Sequence, residues 1–233
     1  MNLIDWCREQ DIWYLKIDIE IPEIVKKEAQ AVYEESFFVP HRDSYGTGWW
    51  SSSLHGWAPK DERNTDQAWR YTMNPDGYGF AEEDVNWGWS EMQDVAPEMK
   101  RWLEDFPHST YRRCRFMMLQ PGGGITKHHD ANEKRIADGR QRNLASAINI
   151  AIHQPKDCYL RRTDGPVAEE ELPFKDCTGF WFDNGVEHEA LNSSDENRFH
   201  FIIHGGMNGE RKRLMKQSLV KEYGSDILKE IDD

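Results

Sequence analysis

The sequence predicts a mainly β fold, a sandwich or barrel with helices at its flanks. Three observations lead there. From residue 111 onward, short segments of alternating polar and apolar residues recur at intervals of roughly ten residues, bounded by turn residues. Helical spacing is confined to the residues before that region and to the end of the chain. The composition, 38% hydrophobic and 30% charged over 233 residues, is that of a folded chain long enough to bury its own core. Ten Trp suit either a stiff β-rich core or an aromatic-lined pocket.

Each element follows from local pattern. Residues 11–19, DIWYLKIDI, alternate and form an early strand. Pro22 opens a helix, PEIVKKEAQAVYEES, with Ile24, Ala29, Val32 and Tyr33 at helical spacing. Residues 40–90 are rich in Trp, Gly and Ser and read as short strands and functional loops. APEMKRWLEDF, residues 96–106, fits a second helix. YRRCRFMMLQ is a strand that ends at PGGG; LASAINIAI, DCYLRR and TGFWF follow as strands. VEHEAL and RFHFIIH flank the polar turn NSSDEN as a β-hairpin. The end of the chain is helical, with Leu214, Leu219, Val220 and Tyr223 on its apolar side. With no repeat or linker-like tract, residues 1–233 read as one domain. Residues 1–110 form an α/β extension with substrate-side loops, 111–206 the β core, and 207–233 a helical segment.

Several function classes are disfavoured. A net charge of −13 repels phosphate backbones, so nucleic acid is not the expected partner. No apolar run approaches a membrane span. The first residues, MNLIDWCREQDIWYL, lack a basic region followed by an apolar core, so no secretory signal is expected. Cys7, Cys114, Cys158 and Cys177 form no CxxC pair and read as reduced thiols of a cytoplasmic protein. His188-Glu189 is not part of HExxH, and the phosphate-loop and dinucleotide-binding glycine motifs are absent.

The feature that carries chemistry is PGGGITKHHD, residues 121–130. In an extended chain, residues i and i+2 point the same way, so His128 and Asp130 can reach one metal while His129 points away. An HxD alone is often a chance pair in a polar loop; His41-Arg42-Asp43 is a second one, without supporting context. The HxD at 128–130 gains weight from residues nearer the C-terminus. His188 lies on a later strand, and Arg198 lies ten residues beyond it. Two imidazoles and one carboxylate leave adjacent coordination positions open, which suits non-haem Fe(II) and O2 chemistry. A guanidinium nearby can clamp a carboxylate with two hydrogen bonds.

The pattern PGGG, HxD, FDNGVEHEA, SDENRFHFIIHG resembles the aspartyl/asparaginyl β-hydroxylase family of Fe(II)- and 2-oxoglutarate-dependent oxygenases, which includes free-proline hydroxylases. The similarity covers about residues 111–206. It implies a double-stranded β-helix, the jelly-roll or cupin-like barrel. It implies iron held by His128, Asp130 and His188, with Arg198 on the distal carboxylate of 2-oxoglutarate. The activity implied is hydroxylation of an unactivated C–H bond, consuming O2 and 2-oxoglutarate and yielding succinate and CO2. Arg115 corresponds to an Arg that binds the substrate carboxylate in free-proline hydroxylases; otherwise it is an Arg at a strand's solvent face. The positions where animal members carry an Arg and a His for 2-oxoglutarate are Ala145 and Ala147 here, so its near carboxylate is held otherwise. That departure favours a small amino-acid-like substrate, with a residue in a peptide and a small amide also open.

Further candidates come from position. His200 shares strand parity with Arg198 and can contact the cofactor or serve as a hydrogen-bonded core histidine. Asn149 is polar in an apolar strand and requires a partner, either the cofactor or a structural bond. Trp49, Trp50 and His55 can line a substrate mouth or belong to the core. The competing functions are a jelly-roll binding module without catalysis and a metal cupin without 2-oxoglutarate. Arg198 discriminates, since neither needs an internal guanidinium there. The oligomeric state is not legible.

Overall fold

The structure, a computed structural model, describes residues 3–41, 46–62, 64–106, 111–130, 147–205 and 209–231. In chain order these form α1 (Leu3–Glu9), β1 (Tyr14–Ile17), α2 (Ile24–Glu34), β2 (Val39–Pro40), β3 (Gly46–Pro59), β4 (Val85–Trp89) and α3 (Pro97–Glu104). Then come β5 (Tyr111–His128), β6 (Ile148–His153), β7 (Cys158–Arg162), β8 (Glu170–Glu171), β9 (Thr178–Phe182), β10 (His188–Asn192), β11 (Arg198–Gly205) and α4 (Gly209–Tyr223). The strands make one antiparallel sheet, β1-β9-β6-β11-β5-β10-β7-β8, with β3 joining β5 and carrying β2 and β4. The sheet curls into the expected mainly β jelly roll.

The curl depends on two long strands. β5 does not stop at PGGG but runs through it for 18 residues. Its first half pairs with β11, from Arg198 opposite Leu119 to Ile203 opposite Cys114, and its second half pairs with β10. β3 follows β5 along the other edge, from Gly46 opposite Ile125 to His55 opposite Cys114. The glycines permit this close crossing. A Cβ on Gly46 would sit 1.8 Å from the Gly124 carbonyl oxygen, and one on Gly123 would sit 2.8 Å from the Gln120 oxygen. Gly48 and Gly122 hold φ of 66° and 70°, which glycine adopts without strain.

The expected hairpin is corrected. β10 and β11 both run antiparallel to β5, so they share one direction and follow each other along its edge. The polar turn between them is a kink that moves the chain from one wall of the barrel to the other, with β10 pairing onward to β7 and β11 to β6.

Strand alternation separates two cores. The outward face of β6, β9 and β11 packs Ile148, Ile150, Trp181, Phe199 and Phe201 against the helices. The smaller inner cluster joins Leu119, Leu160, Phe180, Phe182 and Ala190. Two helix faces differ from expectation. α2 buries Val25, Glu28, Ala29 and Val32 and leaves Ile24 and Tyr33 at the surface. The Glu28 carboxylate accepts the Glu98 and Met99 N–H groups at 2.7 and 2.8 Å, so the polar residue caps α3. α4 buries Arg211, Met215, Ser218 and Leu219 and exposes Tyr223. α1 has no counterpart among the elements expected from sequence. No helix among the described residues is long and apolar enough to cross a membrane.

Candidate active site

Three side chains meet where the second half of β5 runs beside β10. His128 and His188 are ladder partners, and Asp130 lies two residues beyond His128. The ligating atoms of His128, Asp130 and His188 lie within 4.8 Å of one another. The two ring centroids are 4.4 Å apart, and His128 Nε2 is 3.5 Å from Asp130 Oδ1. His128 Nδ1–H donates to the Thr126 carbonyl at 2.7 Å, and His188 Nδ1–H donates to the Val186 carbonyl at 2.9 Å. A carbonyl only accepts, so each Nδ1 carries a proton, and in the neutral ring Nε2 holds the lone pair that a metal needs. His129 turns away to the Gly185 carbonyl.

Burial lowers the His188 pKa and keeps the ring neutral, with Asp130 pulling the other way. Burial alone would raise the Asp130 carboxyl. The His128 and His188 rings beside it, whenever they are protonated, and the Asn184 amide outweigh burial and hold it well below the usual carboxylate range. Two imidazoles and one carboxylate in this proximity are a donor set that fits Fe(II) and leaves adjacent positions open.

The turn before β10 sets this geometry. Asn184 Nδ2 donates to Asp130 Oδ2 at 3.0 Å, and its carbonyl accepts the Asp130 N–H at 3.0 Å. The turn is anchored in α1. Arg8 donates through Nε and Nη2 to the buried Asp183 carboxylate at 2.5 and 2.9 Å. The same carboxylate accepts the Gly185 N–H at 3.0 Å.

Arg198 lies on the inner face of β11 and is 5% exposed. Its Nε donates to Gln154 Oε1 at 2.9 Å and its Nη2 to His200 Nδ1 at 3.2 Å. Phe174 lies 5.3 Å from the guanidinium carbon. All three neighbours are uncharged, and burial lowers the Arg198 pKa. A buried cation in neutral company calls for an anion from outside the protein. His200 Nε2 donates to Asn149 Oδ1 at 3.0 Å, so both predicted cofactor residues stand in one chain behind Arg198. Trp49, Met117, Leu119 and Ile125 line a small cavity with Arg198 and His200.

Arg115 points inward, is buried, and donates to the Thr72 carbonyl, as does Arg113 at 2.8 Å. His204 shares this end of the barrel; burial and the charges of Arg113 and Arg115 push its pKa well below the ordinary value.

Two residues are corrected. Trp50 faces the outer core, opposite Trp49, and donates to Gln120 Oε1 at 3.0 Å. His55 comes after a bulge at Ser53, which turns it to the side of Cys114 and against Trp89, with ring centroids 4.9 Å apart. Ala147 is buried beside β6, while Ala145 and Asp43 lie outside the described residues. His41, which has no supporting context in sequence, is buried, 2.8 Å from Ser51 Oγ through Nδ1, with its ring 4.2 Å from that of Trp49. Gln154, Phe174 and Asn184 are site residues that sequence patterns do not single out; only Asn184, in the turn signal DNG, carries a local cue.

Comparison with known proteins gives a family. The family model described as aspartyl/asparaginyl beta-hydroxylase matches residues 22–205. No curated protein sequence matches significantly. Among solved structures, a Pseudomonas putida prolyl-4-hydroxylase is 15% identical, with 84% of this chain and 93% of that chain covered and a TM-score of 0.45. A Trichoplax adhaerens prolyl hydroxylase in complex with a hypoxia-inducible factor peptide is 10% identical, with 91% and 90% covered and a TM-score of 0.45. A Burkholderia pseudomallei oxidoreductase of the 2OG-Fe(II) oxygenase family is 10% identical, with 89% and 93% covered and a TM-score of 0.44.

Proposed function

The chain belongs to the aspartyl/asparaginyl β-hydroxylase family, and from that premise we propose that it is an Fe(II)- and 2-oxoglutarate-dependent hydroxylase of a small, carboxylate-bearing, amino-acid-like substrate. His128, Asp130 and His188 would hold the iron, and Arg198 the distal carboxylate of 2-oxoglutarate. The observation that carries this reading is the pairing of a two-His, one-carboxylate group with a buried guanidinium whose described partners are all neutral. A metal cupin without 2-oxoglutarate gives no reason to keep that charge uncompensated.

When bound, the iron and 2-oxoglutarate together supply the oxidation that inserts one oxygen of O2 into a C–H bond and releases succinate and CO2. The chain's own groups do the rest. The Thr126 and Val186 carbonyls hold a proton on each Nδ1 and fix the ring orientation, so that Nε2 is the atom each ring would turn to the metal. Asn184 steers Oδ1 of Asp130 toward the imidazoles. Phe182, with its ring centroid 5.5 Å from that of His188, excludes water from one side. Arg115, on the same face of β5 as Met117 and Leu119, offers its charge to a substrate carboxylate. We read residues 1–233 as one catalytic unit. The cysteines are free thiols, as a reducing, cytoplasmic setting would keep them.

The test is a screen of free amino acids and short Asp-, Asn- and Pro-containing peptides for substrate-stimulated succinate release, with mass spectrometry for one added oxygen. A carboxylate-bearing amino acid that stimulates turnover in wild type but not in Arg115→Ala supports the reading. Turnover stimulated only by peptides, and unaffected by Arg115→Ala, contradicts the substrate assignment.

A further inference from the structure

The hydrogen bonds around Arg198 have a fixed direction. Gln154 Nε2 donates to the Cys158 carbonyl at 2.5 Å, so its Oε1 must be the atom that faces Arg198 Nε. On the other side, Arg198 Nη2 is a donor, so His200 Nδ1 must be the acceptor. His200 then carries its proton on Nε2 and gives it to Asn149 Oδ1. The chain closes only with His200 neutral, and burial together with Arg198 drives its pKa well below the ordinary value. The Gln154 backbone is pinned independently, its N–H donating to Asp176 Oδ1 at 2.6 Å.

Two of the five guanidinium N–H donors are thus used, both on the edge shared by Nε and Nη2. Among the described residues, Nη1 bonds to no protein atom. The free end of the fork belongs to a group whose charge no described carboxylate cancels.

We propose that Gln154 is a positioning and specificity-determining residue. As an uncharged acceptor it holds Arg198 by its Nε edge, turns the Nη end to the cavity, and leaves the positive charge whole for the second carboxylate of the co-substrate. This rests on the reading that Arg198 receives that carboxylate. The side chain itself touches neither iron nor substrate. A glutamate here would have nearly the same shape but would pair with Arg198 and answer its charge from within.

The experiment compares Gln154→Glu, Gln154→Leu and Arg198→Lys with wild type. It reads the affinity and KM for the co-substrate 2-oxoglutarate, the Fe(II) affinity, and kcat at saturating 2-oxoglutarate. Gln154→Glu is expected to raise both the dissociation constant and the KM for this co-substrate about tenfold or more. Gln154→Leu should raise them by less, because the charge survives but the aim is lost. Fe(II) affinity should stay unchanged in both, which also reports an intact fold, and kcat should largely recover at saturation. Gln154→Glu with wild-type 2-oxoglutarate affinity, while Arg198→Lys weakens it, overturns the role of Gln154 and leaves the reading of Arg198 standing. An unchanged affinity in Arg198→Lys overturns both.

Discussion

Asp130 can ligate through either carboxylate oxygen, and Asn184 decides between them by occupying Oδ2 and holding the Asp130 backbone. Removing such an orienting partner typically costs about 10–100-fold in metal affinity. Asn184→Ala is therefore expected to weaken Fe(II) or Mn(II) binding by that factor, read by calorimetric titration. His41→Ala should leave it unchanged, because His41 bonds Ser51 and packs on Trp49. The reverse result would assign the metal to the wrong HxD. At this scale, the residues legible in the sequence are those in a short motif or at a fixed offset: His128, Asp130, His188 and Arg198. Gln154 and Phe174 are hidden because their relation to Arg198 spans 44 and 24 positions of sequence. No local pattern marks a glutamine as the holder of a distant arginine. Trp49 and Trp50 look alike in sequence, and only the register against β5 separates cavity from core.

Among the elements, the β3–β5 crossing decides whether the two halves of the site face each other. It brings the Gly124 carbonyl closer to Gly46 than any side chain allows. Gly46→Ala must push the strands apart, a backbone displacement costing about 1–3 kcal/mol or more. It should lower the denaturation midpoint and weaken metal binding together, since His128 lies further along β5. Gly209→Ala meets nothing within 4 Å and should be close to neutral. Equal effects at the two positions would mean that the crossing is not tight. Most strands are legible in the sequence, because strand period and turn residues are local signals. β5 reads as broken at PGGG because proline and glycine normally end strands. Here they mark the bend that lets one strand serve both walls. β10 and β11 read as a hairpin because a short polar turn usually reverses the chain. β5 instead pairs with both in one direction. The helix faces of α2 and α4 are misread for a related reason: Glu28 and Arg211 are polar yet buried, and a purely apolar count rotates the helix away from them.

Across the molecule, the barrel interior is a collection of ionisable groups held in chosen states, and its stability must depend on pH. His200 and His204 have folded pKa values well below 6.5, so they are neutral in the fold and take up protons on unfolding. The unfolded state then binds more protons, and stability rises with pH up to about 6.5. Below that value each contributes a loss of about 1.4 kcal/mol per pH unit until its folded pKa is reached. Asp130, depressed below 3.8, adds to the loss only as pH falls through and below that value. Urea midpoints of the metal-free protein are therefore expected to be lower at pH 5.5 than at pH 7.5. A flat or opposite trend would show that these imidazoles are solvated. The mainly β architecture and its flanking helices are legible at this scale from segment spacing alone. The buried charge of Arg113, Arg115, Arg198 and Arg211 is not, since an acidic composition says nothing of where its minority of cations is buried.

The proposed function requires that a metal held by His128, Asp130 and His188 work together with Arg198, a guanidinium reserved for a second carboxylate. The most direct measurement is an anaerobic titration of 2-oxoglutarate into the Fe(II)-loaded protein, monitored by visible absorption and calorimetry. Saturable 2-oxoglutarate binding that depends on the metal, brings up a weak charge-transfer band, weakens in Arg198→Lys and disappears in His188→Ala is the predicted result. Tight Fe(II) binding at His128, Asp130 and His188 with no band and no heat from 2-oxoglutarate would contradict the account and leave a metal-binding jelly roll of another kind.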